Sequence, residues 1–195
     1  MRVVVATGNR GKLGELAALL APLGVELLPQ SAFGITTPPE TGKTFLDNAL
    51  LKARHAARLS QLPAMADDSG LEVDALSGAP GVYSARFAGE AADDAANNAK
   101  LLAALTNVPY MERTARFRSV IVLVRAADDP HPRVGEGCWE GRIGLEPRGT
   151  GGFGYDPLFE PADAAGTAAE LAPAEKNARS HRGAALRALL AQWPR

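Results

Sequence analysis

Two adjacent carboxylates, Asp67 and Asp68, stand inside the stretch Ala64-Met65-Ala66-Asp67-Asp68-Ser69-Gly70-Leu71-Glu72-Val73, and any fold of this chain must place both charges. The residues around them read as a buried strand. Side chains alternate faces along a strand, so the two acids cannot both point into one core unless the strand ends there and the backbone turns. Ser69-Gly70 supplies the expected turn. A strand end followed by a small residue is where an open α/β sheet presents ligands and metals. The same residues also fit an Asx-type turn with both carboxylates solvated.

At 195 residues the chain has room for one sizeable core, and residues 1–195 are read as a single domain. Its 21 basic and 22 acidic residues nearly cancel, which excludes charge-driven binding to nucleic acid or to a membrane surface. Any phosphate binding is therefore local. Cys138 is the only cysteine, so no intrachain disulfide forms; a reducing compartment is expected, with Cys138 as a small packed residue rather than a nucleophile. Met1-Arg2-Val3-Val4-Val5-Ala6 is too short an apolar run for a signal peptide, and no stretch is long enough to span a bilayer. A cytoplasmic protein is expected.

Val3-Val4-Val5-Ala6 predicts a central strand, Thr7-Gly8-Asn9-Arg10-Gly11 a turn, and Lys12 to Leu20 an amphipathic helix that Pro22-Leu23-Gly24 closes. The helix N-terminus offers free N–H groups and a positive dipole end, with Lys12, Thr7 and Asn9 beside them, and so suits an anion. The spacing is too short for a Walker A motif. Val25 to Leu28 is a second strand. A long helix is expected from Phe45 to Leu59 with Thr44 as its cap. Lys52 falls within that helix's apolar stripe of Phe45, Ala49 and Ala56, a placement that favours a cleft over the usual surface snorkelling. Asp93 to Leu105 predicts another helix, and Thr114 to Val124 pairs with Val134 to Ile143 as a hairpin in a mixed sheet. Arg86 is open between a phosphate contact, a dimer contact and plain surface.

In Gly149-Thr150-Gly151-Gly152-Phe153-Gly154-Tyr155-Asp156, glycines permit close approach to a flat ligand. Phe153 can stack on a base and Asp156 can accept a base N–H, although a glycine-rich hairpin with packing aromatics has the same composition. Lys176, His181 and Arg182 gather near the start of a last helix, with Ser180 as its cap, where cations oppose the dipole. They serve either an anionic or carbonyl-bearing ligand or a solvated basic face.

Taken in order, Thr7-Gly8-Asn9-Arg10-Gly11-Lys12, Glu40-Thr41-Gly42, Ala66 to Leu71, Gly81-Val82-Tyr83-Ser84-Ala85-Arg86, Phe153-Gly154-Tyr155-Asp156 and Ser180-His181-Arg182 match one family over nearly the whole length. The chain resembles the inosine triphosphate pyrophosphatase family, the Ham1-like or RdgB-like non-canonical purine nucleotide pyrophosphatases. The resemblance implies an α/β fold with an elongated mixed sheet flanked by helices, two lobes with an active-site cleft between them, a homodimer and a magnesium (Mg2+) requirement. It implies hydrolysis of ITP, dITP, XTP and dXTP to the monophosphate and pyrophosphate, which keeps these nucleotides out of DNA and RNA. It places the triphosphate on Thr7, Gly8, Asn9, Arg10, Gly11 and Lys12 with Lys52, and the metal on Glu40 and Asp68. Asp68 becomes the proton acceptor and Ser69 a substrate contact, while Phe153, Gly154, Tyr155, Asp156, Lys176, His181 and Arg182 form the nucleoside and phosphate pocket. Many relatives carry a second acid just before the residue matching Glu40, where this chain has Pro39.

An ordinary Asp is ionised at neutral pH, and two such carboxylates side by side repel unless a cation joins them, which suits magnesium. A 6-oxo acceptor and an N1–H donor on the base would meet Arg182 or a nearby N–H, and Asp156, whereas adenine reverses both groups. Alternative readings are a Maf-like pyrophosphatase of other nucleotides and a nucleotide-binding module without turnover. Carboxylates beside a polyanion favour hydrolysis over simple binding.

Overall fold

The protein is described as a computed structural model covering residues 2–21 and 24–192, so Met1 and the helix stop expected at Pro22-Leu23 lie outside the described residues. Six strands form one mixed sheet in the order β2-β1-β3-β4-β5-β6: β1 Arg2–Val5, β2 Glu26–Pro29, β3 Ala64–Val73, β4 Thr114–Val124, β5 Arg133–Ile143 and β6 Phe159–Pro161. β1 pairs in parallel with β2 and with β3, whereas β6 runs antiparallel to β5. The helices are α1 Arg10–Leu20, α2 Phe45–Ser60, α3 Asp94–Ala104, α4 Pro173–Arg179 and α5 His181–Leu190. Among the described residues no helix is long and apolar enough to cross a membrane.

The chain divides into two compact units, the first made of residues 1–68, 119–137 and 182–195, the second of 69–118 and 138–181. In the first unit, Leu16 and Leu20 of α1 and Ala185, Leu186 and Leu189 of α5 bury against Val3, Val5, Met65, Ile121 and Leu123. Full burial of a leucine contributes about 1.5–3 kcal/mol. α5 approaches β5 so closely that a methyl group on Gly135 would meet the carbonyl oxygen of Ala185 and the backbone nitrogen of Leu189. α2 begins at a capping box, in which the Thr44 hydroxyl accepts from Asp47 N at 3.1 Å and the Asp47 carboxylate accepts from Thr44 N at 3.2 Å. Small residues at 49, 53 and 56 make its buried face.

In the second unit, Leu71, Leu101, Leu105, Phe117, Trp139, Leu158 and Phe159 lie in one core. Phe117 and Trp139 meet the Phe159 ring at centroid distances of 4.6 and 5.4 Å. α3 is capped by Asp93, whose carboxylate accepts from Ala96 N at 2.8 Å. Buried Arg113 donates to the carbonyls of Leu105, Val108 and Gly144 at 2.8, 3.0 and 3.2 Å, satisfying the ends of that core's loops.

Two expectations need correction. β3 does not end at Asp67-Asp68: it runs through to Val73, and Ser69-Gly70 is strand rather than turn. Cys138 is not packed. It lies exposed on β5, where partial desolvation of the sulfur first and the neighbouring Glu140 carboxylate second push its thiol up to about 11, so the thiolate is scarce at neutral pH.

Candidate active site

The uninterrupted strand puts Asp67 and Asp68 on opposite faces, and each face supplies its own cation. The Asp67 Oδ2 lies 2.8 Å from Lys12 Nζ and 3.4 Å from an Arg182 Nη, while Oδ1 accepts from Ser119 Oγ at 2.5 Å. Arg182 in turn holds Glu15 of α1. On the other face, Lys52 Nζ donates to Asp68 Oδ1 at 2.7 Å and to Glu40 Oε1 at 2.8 Å. Asn48, one turn before Lys52, donates to Asp68 Oδ2 at 3.3 Å and accepts from Gly42 N at 2.8 Å, so it ties the Glu40 loop to the strand. All of these groups belong to the first unit.

The two acids are driven apart. Burial disfavours the charge on Asp67, but Arg182 and then Lys12 outweigh it and hold the carboxyl well below the usual range. Burial also acts on Asp68 and there it prevails over Lys52 and Lys12, leaving that carboxyl above its ordinary value. Lys12 is lowered, chiefly by burial; for Lys52, burial is overcome by Asp68 and then Glu40, which raise it. Asp67 is thus a fixed structural anion. Asp68 is the more basic of the two.

Beside this cluster, Asn9 caps α1 by accepting from Lys12 N at 3.1 Å, and Thr7 Oγ1 accepts from Asn9 N at 3.1 Å. Gly8, Asn9 and Arg10 are exposed, with Gly11 half-buried, so the positive end of α1 is exposed. Lys52 is buried, not snorkelling, and it meets carboxylates.

In the second unit, Asp156 Oδ2 accepts from Phe153 N at 2.8 Å and from Lys176 Nζ at 2.7 Å, and that ammonium stands 4.9 Å over the Phe153 ring. The loop can close this way because Gly152 has φ +70° and leaves no room for a side chain against the Asp156 carboxylate. α3 grips the loop at Gly154, whose N–H donates to Asp94 at 2.7 Å and whose carbonyl accepts from Asn98 at 2.9 Å. The Tyr155 hydroxyl donates to the Ser84 carbonyl at 2.8 Å, and burial pushes its pKa up.

The basic trio does not form a solvated face. Lys176 is on Asp156, His181 stacks on Phe117 at 4.8 Å, and Arg182 is buried with Asp67 and Glu15. Ser180 is buried between α4 and α5, Ser69 is half-buried on β3, and Arg86 pairs with Glu90 at 3.4 Å. Sequence reasoning missed Asn48, Ser119 and Glu15. Only Asn48 carried a local signal, its position four residues before Lys52.

A family model described as the Ham1 family matches residues 3–192. A protein of Thioalkalivibrio sulfidiphilus named dITP/XTP pyrophosphatase is 60% identical over 190 residues, covering 97% of each chain. The solved HAM1 protein of Coxiella burnetii has a TM-score of 0.90 and 48% identity, covering 99% of this chain and 100% of its own. The Ham1 protein of Staphylococcus aureus has a TM-score of 0.85 and 38% identity, covering 98% and 97%.

Proposed function

The chain belongs to the Ham1 family, and from that premise we propose that it hydrolyses the non-canonical purine nucleotides ITP, dITP, XTP and dXTP to the monophosphate and pyrophosphate. The observation that carries this reading is the division of two neighbouring carboxylates between two faces of one strand, Asp67 tied to Lys12 at 2.8 Å and Asp68 set beside Glu40 on a shared Lys52 ammonium at 2.7 and 2.8 Å. A module that only bound polyphosphate would gain nothing from Asp68 and Glu40 beside it.

In this reading Asp68 takes a proton from the water that attacks the α-phosphorus. The open turn of α1 at Thr7, Gly8, Asn9, Arg10 and Gly11, together with Lys12 and Lys52, holds the phosphates and the charge that develops on departing pyrophosphate. Ser69 is a further substrate contact. In the second unit Phe153, Gly154, Tyr155 and Asp156 with Lys176 and His181 receive the nucleoside, Asp156 matching an N1–H donor; the 6-oxo group falls to Arg182, whose guanidinium also holds Asp67 and Glu15, or to a nearby N–H.

The donor set fits magnesium. Glu40 Oε1 and Asp68 Oδ1 converge within 2.8 Å of one point, the Lys52 ammonium, and both are hard oxygen donors. Among the described residues no cluster of three or more His, Cys, Asp or Glu forms a metal cage. Two carboxylates completed by phosphate oxygens and water are the usual way this ion is held. Bound there, it would neutralise phosphate charge and orient the triphosphate. We further assign the protein to the cytoplasm, as a homodimer that keeps these nucleotides out of DNA and RNA.

The test is a panel of ITP, XTP, GTP and ATP with magnesium, assayed separately for pyrophosphate and orthophosphate. Pyrophosphate release favouring ITP and XTP is expected. Orthophosphate as the first product, or binding without turnover, would overturn the proposal.

A further inference from the structure

On the side of α2 turned away from Lys52, Leu51, Arg54, His55 and Arg58 line a depression of about 450 Å³ together with Pro38, Pro39 and Thr41. That volume lies within the range of small-molecule sites, about 300–1,000 Å³. Three basic side chains face it and no carboxylate lines it. Arg54 Nε is buried and makes no hydrogen bond, and an Nη reaches only the Asp129 carbonyl, at 3.4 Å. The Asp129 carboxylate is already taken by Arg125, at 2.8 and 3.0 Å, and by the backbone N–H groups of Arg125 and His131. The helix dipole accounts for Arg58 in the last turn of α2, but not for Arg54 and His55 further from the end.

We propose that this depression is a second anion site, separate from the Asp68 cluster, which binds a phosphate group through Arg54 and Arg58. Guanidinium forks one helical turn apart, Arg54 half-buried and Arg58 exposed, match the oxygens of a phosphate. Thr41 adds a hydroxyl, and Pro38, Pro39 and Leu51 make an apolar wall for the organic part of a phosphomonoester. A ligand there touches both chain neighbours of Glu40, the carboxylate that Lys52 holds on the other side.

The experiment follows the arginine Nε–Hε signals of the ¹⁵N-labelled full chain by NMR, with sodium chloride matching ionic strength. Orthophosphate, pyrophosphate and a nucleoside monophosphate are titrated in turn. A saturable shift of the Arg54 signal is expected with at least one of them, and which one responds identifies the source of the phosphate. Arg58→Gln should weaken that binding at least about tenfold. The proposal fails if none of the three moves the Arg54 signal, if the shift never saturates, or if a saturable shift is unchanged in Arg58→Gln. Turnover is no part of the readout, so this result is independent of the assigned hydrolysis.

Discussion

Replacing Asp67 by Asn removes one charge and little volume, and the structure says which groups lose by it. The Asp67 side chain is 0% exposed, Lys12 is 14% and Arg182 is 2% exposed, so the charges freed by the substitution remain largely buried. Arg182 keeps Glu15, whereas Lys12 loses its carboxylate. Breaking a buried pair from one side costs about 3–5 kcal/mol, a large share of the roughly 5–15 kcal/mol that holds a domain folded. For a chain of this size the expected drop in Tm is about 10 °C. Asp68→Asn should behave otherwise. It also breaks a buried pair, but Lys52 keeps Glu40 at 2.8 Å and burial already disfavours the Asp68 charge, so the neutral isostere should cost less than Asp67→Asn. Urea unfolding followed by tryptophan fluorescence compares the two, with an unchanged slope confirming two-state behaviour. An Asp67→Asn protein within about 1 kcal/mol of wild type, or one more stable than Asp68→Asn, would refute the assignment of Asp67 as the structural anion.

Other consequences follow from the same contacts. Asp68→Asn should lower kcat by about 10²–10⁴-fold while changing nucleotide affinity by less than about tenfold, read by pyrophosphate release and by calorimetric titration. Gly135→Ala should destabilise by up to about 3 kcal/mol, measured by urea unfolding, because the added methyl meets the backbone of α5 at Ala185 and Leu189. Arg125, with the backbone N–H groups beside it, holds Asp129 well below the carboxylate range. Its stabilising contribution is therefore complete above about pH 5 and is lost as pH falls through the unfolded value toward the folded one. Asp129→Asn should cost about 1–3 kcal/mol at pH 7, and unfolding curves repeated at falling pH should show that gap closing.

What the chain disclosed in advance was local. The Thr44 cap and the strand–glycine–helix start depend on neighbours within a few residues; the cap stands where it was read, and α1 begins at Arg10, two residues before the expected Lys12. The turn expected after Asp68 was argued from the cost of two charges in a strand, a cost removed by partners far away in sequence. Lys52 is 16 residues from Asp68, and Arg182 is 115 from Asp67. No window on the sequence contains those pairs. The same holds for Asp156, whose contact with Lys176 lies 20 residues away in sequence. Cys138 misled for a different reason: cysteine's usual burial says nothing about which face of β5 it occupies.

The central claim is attack by water at the α-phosphorus. A single turnover of ITP in ¹⁸O-labelled water, with both products analysed by mass spectrometry, tests it directly. The account predicts one ¹⁸O atom in the monophosphate and none in pyrophosphate. Label in pyrophosphate, or in orthophosphate released first, would contradict it.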